Sequence, residues 1–150
     1  MPMTKKQELQ NALTAAMKAR DEDTKRTLRL VMSAIKLVEV EKGAEIDDAR
    51  ILGILQKERK TRQDVIEESR RAERSDLVQA AEREITVLNR FLPQQMDPEE
   101  LEEIAKRVIH EVGATQMRDM GEVMQQLMPE IAGRASGQDA SRIVRDLLQN

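Results

Sequence analysis

The chain reads as an all-α protein, an N-terminal four-helix unit followed by a small three-helix unit. Three observations predict this. Apolar residues recur at i, i+3, i+4 and i+7 along most of its length, the spacing of one face of a 3.6-residue helix. Nothing alternates apolar and polar residues as a half-buried strand does, and no internal repeat is visible. Helix-starting and helix-stopping residues stand where the apolar pattern changes.

Taken in order, Thr4 caps a first helix over 4–20, with Leu9, Ala12, Leu13 and Ala16 on one face. A second helix over 23–42 carries the stripe Leu28, Val31, Ile35 and Val38, and Gly43 stops it. Leu30, Ala34 and Leu37 form a flanking row, which predicts burial on more than one side. Asp47 caps a third helix over 47–72. It is apolar in its first half (Ile51, Leu52, Ile54, Leu55) and charged in its second, where Val65 and Ile66 are the expected anchors. Ser75 is the expected cap of a fourth helix bearing Leu77, Ala81, Ile85, Leu88 and Leu92.

Pro93 ends that pattern and sets the expected boundary between an N-terminal domain, 1–92, and a C-terminal domain, 93–150. Asp97, Pro98, Glu99 and Glu100 then read as a helix start. Asp stands at the cap, Pro at the first helical position, and acids in the first turn where the helix dipole favours them. Leu101, Ile104, Ala105, Val108 and Val112 follow, and Gly113 closes the helix. Two short helices over 119–128 and 139–148 finish the chain, separated by Pro129, Gly133 and Gly137.

Composition removes several functions. With no cysteine, disulfides, thiolate metal sites and cysteine nucleophiles are excluded. Phe91 is the sole residue among Phe, Trp and Tyr, so base stacking on aromatic platforms has almost nothing to work with. No apolar run approaches the roughly 20 residues that span a bilayer, and no apolar leader follows Met1. Both point to a cytoplasmic protein without a membrane partner. The formal net charge is -3, unevenly placed. Residues 93–150 hold six basic residues against eleven acidic ones, a net of -5, and the remainder carries +2. Neither part has the positive excess of a dedicated nucleic-acid binder.

Catalytic and metal-binding patterns are equally sparse. His110 is the single histidine and lies off the apolar stripe of its helix, without the nucleophile and orienting group that a triad requires. A ferritin-like metal pair needs Glu-x-x-His on two helices, and that pattern is absent. Glu58 with Arg62, and Glu67 with Arg71, are acid-first i, i+4 pairs. The expectation is no catalytic residue, no metal and no cofactor. Lys57, Arg59, Lys60 and Arg62 could face phosphates, but their mixed-sign neighbours favour a solvated helix face.

The C-terminal third holds the candidate binding residues. Gly121 lies early in a helix, where glycine costs about 1 kcal/mol against alanine and so has a packing or contact reason. Gly133-Arg134-Ala135-Ser136-Gly137 is a candidate phosphate grip. It has flexible backbone, a guanidinium fork and a following helix N-terminus. The alternative is a plain loop in which Ser136 caps the next helix, and this is preferred because the motif is short. Arg142 and Arg145 lie on the last helix. Met117, Met120, Met124 and Met128 stand on one helical face, expected as core with part exposed as an adaptable docking surface.

Short motifs spread along the chain resemble the GatB/YqeY group. They are Met17-Lys18-Ala19-Arg20-Asp21, Leu28-Arg29-Leu30 with Ser33-Ala34-Ile35-Lys36, and Leu55-Gln56-Lys57-Glu58. Phe91-Leu92-Pro93 follows, then Met120-Gly121-x-Val123-Met124, Leu127-Met128-Pro129 and Gly133-Arg134-Ala135. The pattern departs at Gln138, where a lysine is expected, and that lost charge weakens a phosphate grip. The resemblance, to YqeY proteins and to the C-terminal tail of the GatB component of aspartyl/glutamyl-tRNA amidotransferase, implies a two-part helical fold. Taken with the missing catalytic set, it suits a non-catalytic accessory that contacts tRNA or the tRNA-charging machinery, and the residues read as candidates for that contact are Gly121, Met124, Gly133, Arg134, Ser136, Arg142 and Arg145. It also admits a component of a glutamine-dependent carbon–nitrogen ligase acting in a complex. A protein–protein adaptor is a further alternative, and the oligomeric state stays open.

Overall fold

A computed structural model describes residues 2–150 of the chain. Among the described residues there are seven α-helices and no strand. The chain divides into two compact units, Met1–Pro93 and Gln94–Asn150.

The first unit holds α1 (Lys5–Ala19), α2 (Glu22–Lys42), α3 (Asp48–Arg71) and α4 (Ser75–Asn89). Thr4 and Gln7 form a reciprocal capping box at the start of α1. The Gln7 amide donates to Thr4 Oγ1 at 3.2 Å, and the Thr4 amide donates to Gln7 Oε1 at 2.9 Å. Arg20 adopts a left-handed backbone at φ 58°, which turns the chain directly into α2. Asp21 caps α2 by accepting from the Thr24 amide and hydroxyl, at 3.2 and 2.7 Å. Those donors hold its carboxyl below the usual value. Asp47 caps α3 by accepting from the Arg50 amide at 2.9 Å. Leu9, Leu28, Val31, Ile35, Ile51, Leu55 and Leu88 are buried together as the core.

Three expectations for this unit are corrected. The flanking row of α2 is not buried, since Leu30 and Leu37 are 50% and 61% exposed. The helices α1, α3 and α4 all pack against α2, and they leave that row uncovered. Ser75 is the first helical residue of α4 and not its cap. Arg74 holds the cap position without a side-chain cap bond and instead forks onto Asp76 at 3.0–3.1 Å. In the second half of α3 Ile66 is half-buried as an anchor but Val65 is exposed, and Arg59 and Arg62 are buried in its place. These arginines therefore lie on no solvated face and face no external phosphate. Arg59 Nη1 donates to Asn89 Oδ1 at 2.9 Å, and burial pushes its guanidinium pKa down. Arg62 donates to Glu84 at 3.0 Å and to Glu58 at 2.7 Å.

The second unit holds α5 (Pro98–Val112), a 3-10 turn (Met117–Asp119), α6 (Met120–Glu130) and α7 (Gly137–Gln149). The three α-helices pack pairwise around Leu101, Ala105, Val108, Val123, Leu127, Ile131, Ala140 and Val144. Asp97 does cap α5 by position, with Pro98 following, but its side chain makes no cap bond. Gly113 closes α5 at φ 77°, a region that glycine enters without a Cβ clash. Asp119 accepts from the Thr115 and Gln116 amides at 2.9 and 3.1 Å, which lowers its carboxyl pKa.

Two expectations are corrected here as well. Pro129 does not break α6, which runs one residue past it to Glu130. A proline so near the end removes a single helical bond, and the Ile131 amide still reaches the Leu127 carbonyl at 3.3 Å. Gly137 lies inside α7 as its first residue, behind Ser136 at the cap. The core face of α6 is Val123, Leu127 and the following Ile131, all fully buried. Met120 and Met124 pack at its edge, whereas Met117 and Met128 are more than a third exposed.

Candidate functional site in the second unit

A turn between α6 and α7 organises the site. Gly133 takes φ 76°, and the Arg134 amide then returns to the Ile131 carbonyl at 2.8 Å. This reversal lays residue 134 alongside the extended segment that precedes α5. The Met96 amide donates to the Arg134 carbonyl at 2.7 Å. The Arg134 side chain completes a clasp. Its Nε donates to the Gln94 carbonyl at 3.0 Å, and its two terminal nitrogens fork onto Glu100 at 3.2 and 3.1 Å.

Beside the clasp lies an open cleft of about 680 Å³, lined among others by Gln94, Asp97, Glu100, Asp139, Arg142 and Ile143. Arg142 donates to Asp139 at 3.2 Å. Ser136 Oγ accepts from the Asp139 amide at 3.0 Å, so the Ser-x-x-Asp cap is present. Arg134 and Arg142 thus meet in the cleft wall, with Gly133 and Ser136 shaping the turn behind it. Gly121 and Met124 lie on α6 and line no part of this cleft. Arg145 is exposed on α7, and among the described residues it has no ion-pair partner.

This geometry is a poor phosphate grip. Four of the six cations of the unit are already paired with its own carboxylates: Lys106 with Glu102, Arg107 with Glu111 and Glu130, Arg134 with Glu100, and Arg142 with Asp139. Breaking a half-exposed pair such as Arg134–Glu100 costs only about 0.2–1 kcal/mol. Yet an incoming phosphate would then lie against the released Glu100 carboxylate, and Asp139 already occupies the first turn of α7. Glu100, Gln94 and Asp139 were not among the expected site residues. Glu100 read as a helix-dipole acid, and only the tertiary fold brings it to Arg134, 34 residues away.

Two residues singled out in the sequence stand apart from this cleft. His110 is exposed in the last turn of α5, and no hydrogen bond to its side chain exists among the described residues. Among the described residues no group of three or more His, Cys, Asp or Glu side chains could hold a metal ion. Nor, among the described residues, is any helix long and apolar enough to cross a membrane. Gly121 has no packing reason within the chain, because a Cβ built there meets nothing within 4 Å. Gly121→Ala is therefore expected to raise stability by about 0.5–1 kcal/mol, the helix-propensity gain of alanine over glycine. A higher midpoint in urea, read by circular dichroism, checks this. A lower midpoint would show a steric constraint at this position.

Comparison with known proteins places nearly the whole chain. The model of the YqeY-like protein family matches residues 6–148. The uncharacterized protein C22F3.15 of Schizosaccharomyces pombe is 34% identical over 86 residues, covering 57% of this chain and 70% of that protein. The altered inheritance of mitochondria protein 41 of Lachancea thermotolerans, named as mitochondrial, is 36% identical over 87 residues. There the match covers 57% of this chain and 46% of that protein. With the family model spanning nearly every residue that builds both helical units, this chain belongs to the YqeY-like family.

Proposed function

We propose that this chain is a helical accessory module that binds and does not itself catalyse. Its second unit docks onto a protein of the tRNA-charging or amidation machinery, and the two units are separate folding domains. One observation carries the choice of a protein over an RNA. The second unit is acidic, and its best phosphate ligand, Arg134, is closed onto Glu100. A polyanion is repelled by such a surface, whereas a protein partner can use the cleft and the half-exposed methionines of α6. The cytoplasmic setting expected from the sequence is part of this reading, alongside a Lachancea relative with a mitochondrial name.

Direct contact with tRNA is the second reading, and Arg142 and Arg145 favour it. They are exposed on α7 three residues apart, a spacing that puts both on one helical surface. A titration of labelled total tRNA at low and moderate salt separates the two. Under the first reading, binding at moderate salt is no tighter than nonspecific, Kd about 10⁻⁴–10⁻⁶ M. Arg134→Ala would leave it unchanged. Tighter binding that falls with salt and is lost in Arg142→Ala/Arg145→Ala would assign the contact to tRNA. Membership of a glutamine-dependent ligase rests on kinship alone. Ammonia release from glutamine by the purified chain, with or without ATP, would overturn the non-catalytic reading.

A further inference from the structure

The first unit leaves one face of α2 uncovered. Leu30, Leu37 and Val40 are 50%, 61% and 70% exposed. With Ser33 between them they stand at alternating steps of three and four residues, the seam along which one helix packs on another. Single exposed aliphatics are ordinary, but three on one helical face, between positions 30 and 40, are a patch. Beside this seam runs a groove of about 510 Å³ between α1 and α2. Leu13, Met32 and Ile35 contribute its apolar lining, and Arg29 and Lys36 stand at it. A shallower hollow shares Arg29 and Ser33 with the groove and extends it to Leu30.

The charges indicate what fits there. Lys6, Lys25 and Arg26 nearby are held by Glu39, Glu22 and Glu84. Arg29 and Lys36 have no ion-pair partner among the described residues. They lie seven residues apart, about 10 Å along the helix, and on the same side of the apolar seam. From the apolar seam, the groove and these two cations together, we infer that the α1/α2 face is a docking groove for an amphipathic helix of a partner protein. That helix carries acidic residues at i and i+7 along one edge of its apolar stripe. Its apolar side chains cover Leu30, Leu37 and Val40, and its carboxylates meet Arg29 and Lys36. A second copy of this chain fits less well. Antiparallel pairing through the seam sets cation against cation, because Arg29 and Lys36 share one side, and parallel pairing brings Lys36 to Glu41 but leaves Arg29 opposite Ala34. A flat anionic bilayer would meet exposed Glu41 and would not fill a concave groove. All of its residues belong to the first unit.

The test uses the intact protein and two labelled peptides, read by fluorescence anisotropy. Each is a three-heptad helix with leucine at the seam positions, flanked in one by glutamate and in the other by lysine. The glutamate peptide is expected to bind at least about tenfold more tightly, as opposed surface charges discriminate partners. Arg29→Glu/Lys36→Glu should invert that preference, and Leu30→Ala/Leu37→Ala should weaken binding of the glutamate peptide. All four side chains are exposed or rim positions, and unchanged circular dichroism confirms that the variants fold. No binding of the glutamate peptide, equal binding of both peptides, or insensitivity to the charge reversal overturns the inference. So would sedimentation showing self-association abolished by Leu37→Asp, which assigns the face to a second copy. Binding to phosphatidylglycerol vesicles in place of the peptide would assign it to a bilayer.

Discussion

Arg62→Ala is expected to lower the unfolding free energy of the first unit by about 3 kcal/mol, the scale for removing one partner of a buried ion pair. The Arg62 side chain is 8% exposed and that of Glu84 is 18% exposed, with 3.0 Å between Nε and Oε2. Truncation leaves the Glu84 carboxylate, 18% exposed, with Arg26 at 3.6 Å as its remaining ion-pair partner among the described residues. It also releases Glu58, which accepts from Arg62 through both its carboxylate and its backbone carbonyl. The uncompensated charge, more than the lost contact, sets the magnitude. Replacing both charges with shape-matched apolar residues, Arg62→Met/Glu84→Met, should therefore cost much less than Arg62→Ala. Urea unfolding followed by circular dichroism measures both. An Arg62→Ala variant within about 0.5 kcal/mol of the parent, the range of neutral surface changes, would show that solvent compensates Glu84.

That pair also marks where the sequence was legible. Every helix could be found from the apolar period, and Thr4, Asp47 and Ser136 cap as their residue types suggest. Glu58–Arg62 and Glu67–Arg71 form as local spacing predicts, at 2.7 and 3.7 Å. What escaped was the burial of Arg59 and Arg62, although a signal was present. Ile51, Leu55, Arg59, Arg62 and Ser69 continue one helical stripe, and all are buried. On α4, Glu84 falls in line with buried Ala81 and Leu88. Opposite charges on the apolar stripes of neighbouring helices are the readable trace of an internal pair. The α6 stripes were harder to separate. Met120, Met124 and Met128 have the same period as Val123, Leu127 and Ile131, and periodicity cannot rank two adjacent rows. Packing settles it, since the compact branched side chains take the centre and the flexible thioethers fill its margin. The Arg134–Glu100 clasp had no sequence signal, because it depends on how α5 meets the turn before α7.

Leu127→Ala is expected to take away about 3 kcal/mol, the middle of the 2–5 kcal/mol range for such a truncation in a closed core. Leu127 is fully buried among Val123, Ile131 and Val144. The loss is severe for so small a body. The unit Gln94–Asn150 has fewer than 60 residues. At about 0.05–0.15 kcal/mol per residue its whole stability is roughly 3–9 kcal/mol. A domain of this size buries only about 60% of its unfolded surface and has little in reserve. If the two units are separate domains, as proposed, the damage stays local. Calorimetry of the intact chain should then show the transition of the second unit shifted far down and that of the first unit unmoved. Leu55→Ala, a fully buried site in the other core, should move only the other transition. A single transition that shifts as a whole with either substitution would make the chain one cooperative body. A docking event on one unit would then necessarily be felt by the other, and separate partners for the two surfaces would be thermodynamically coupled.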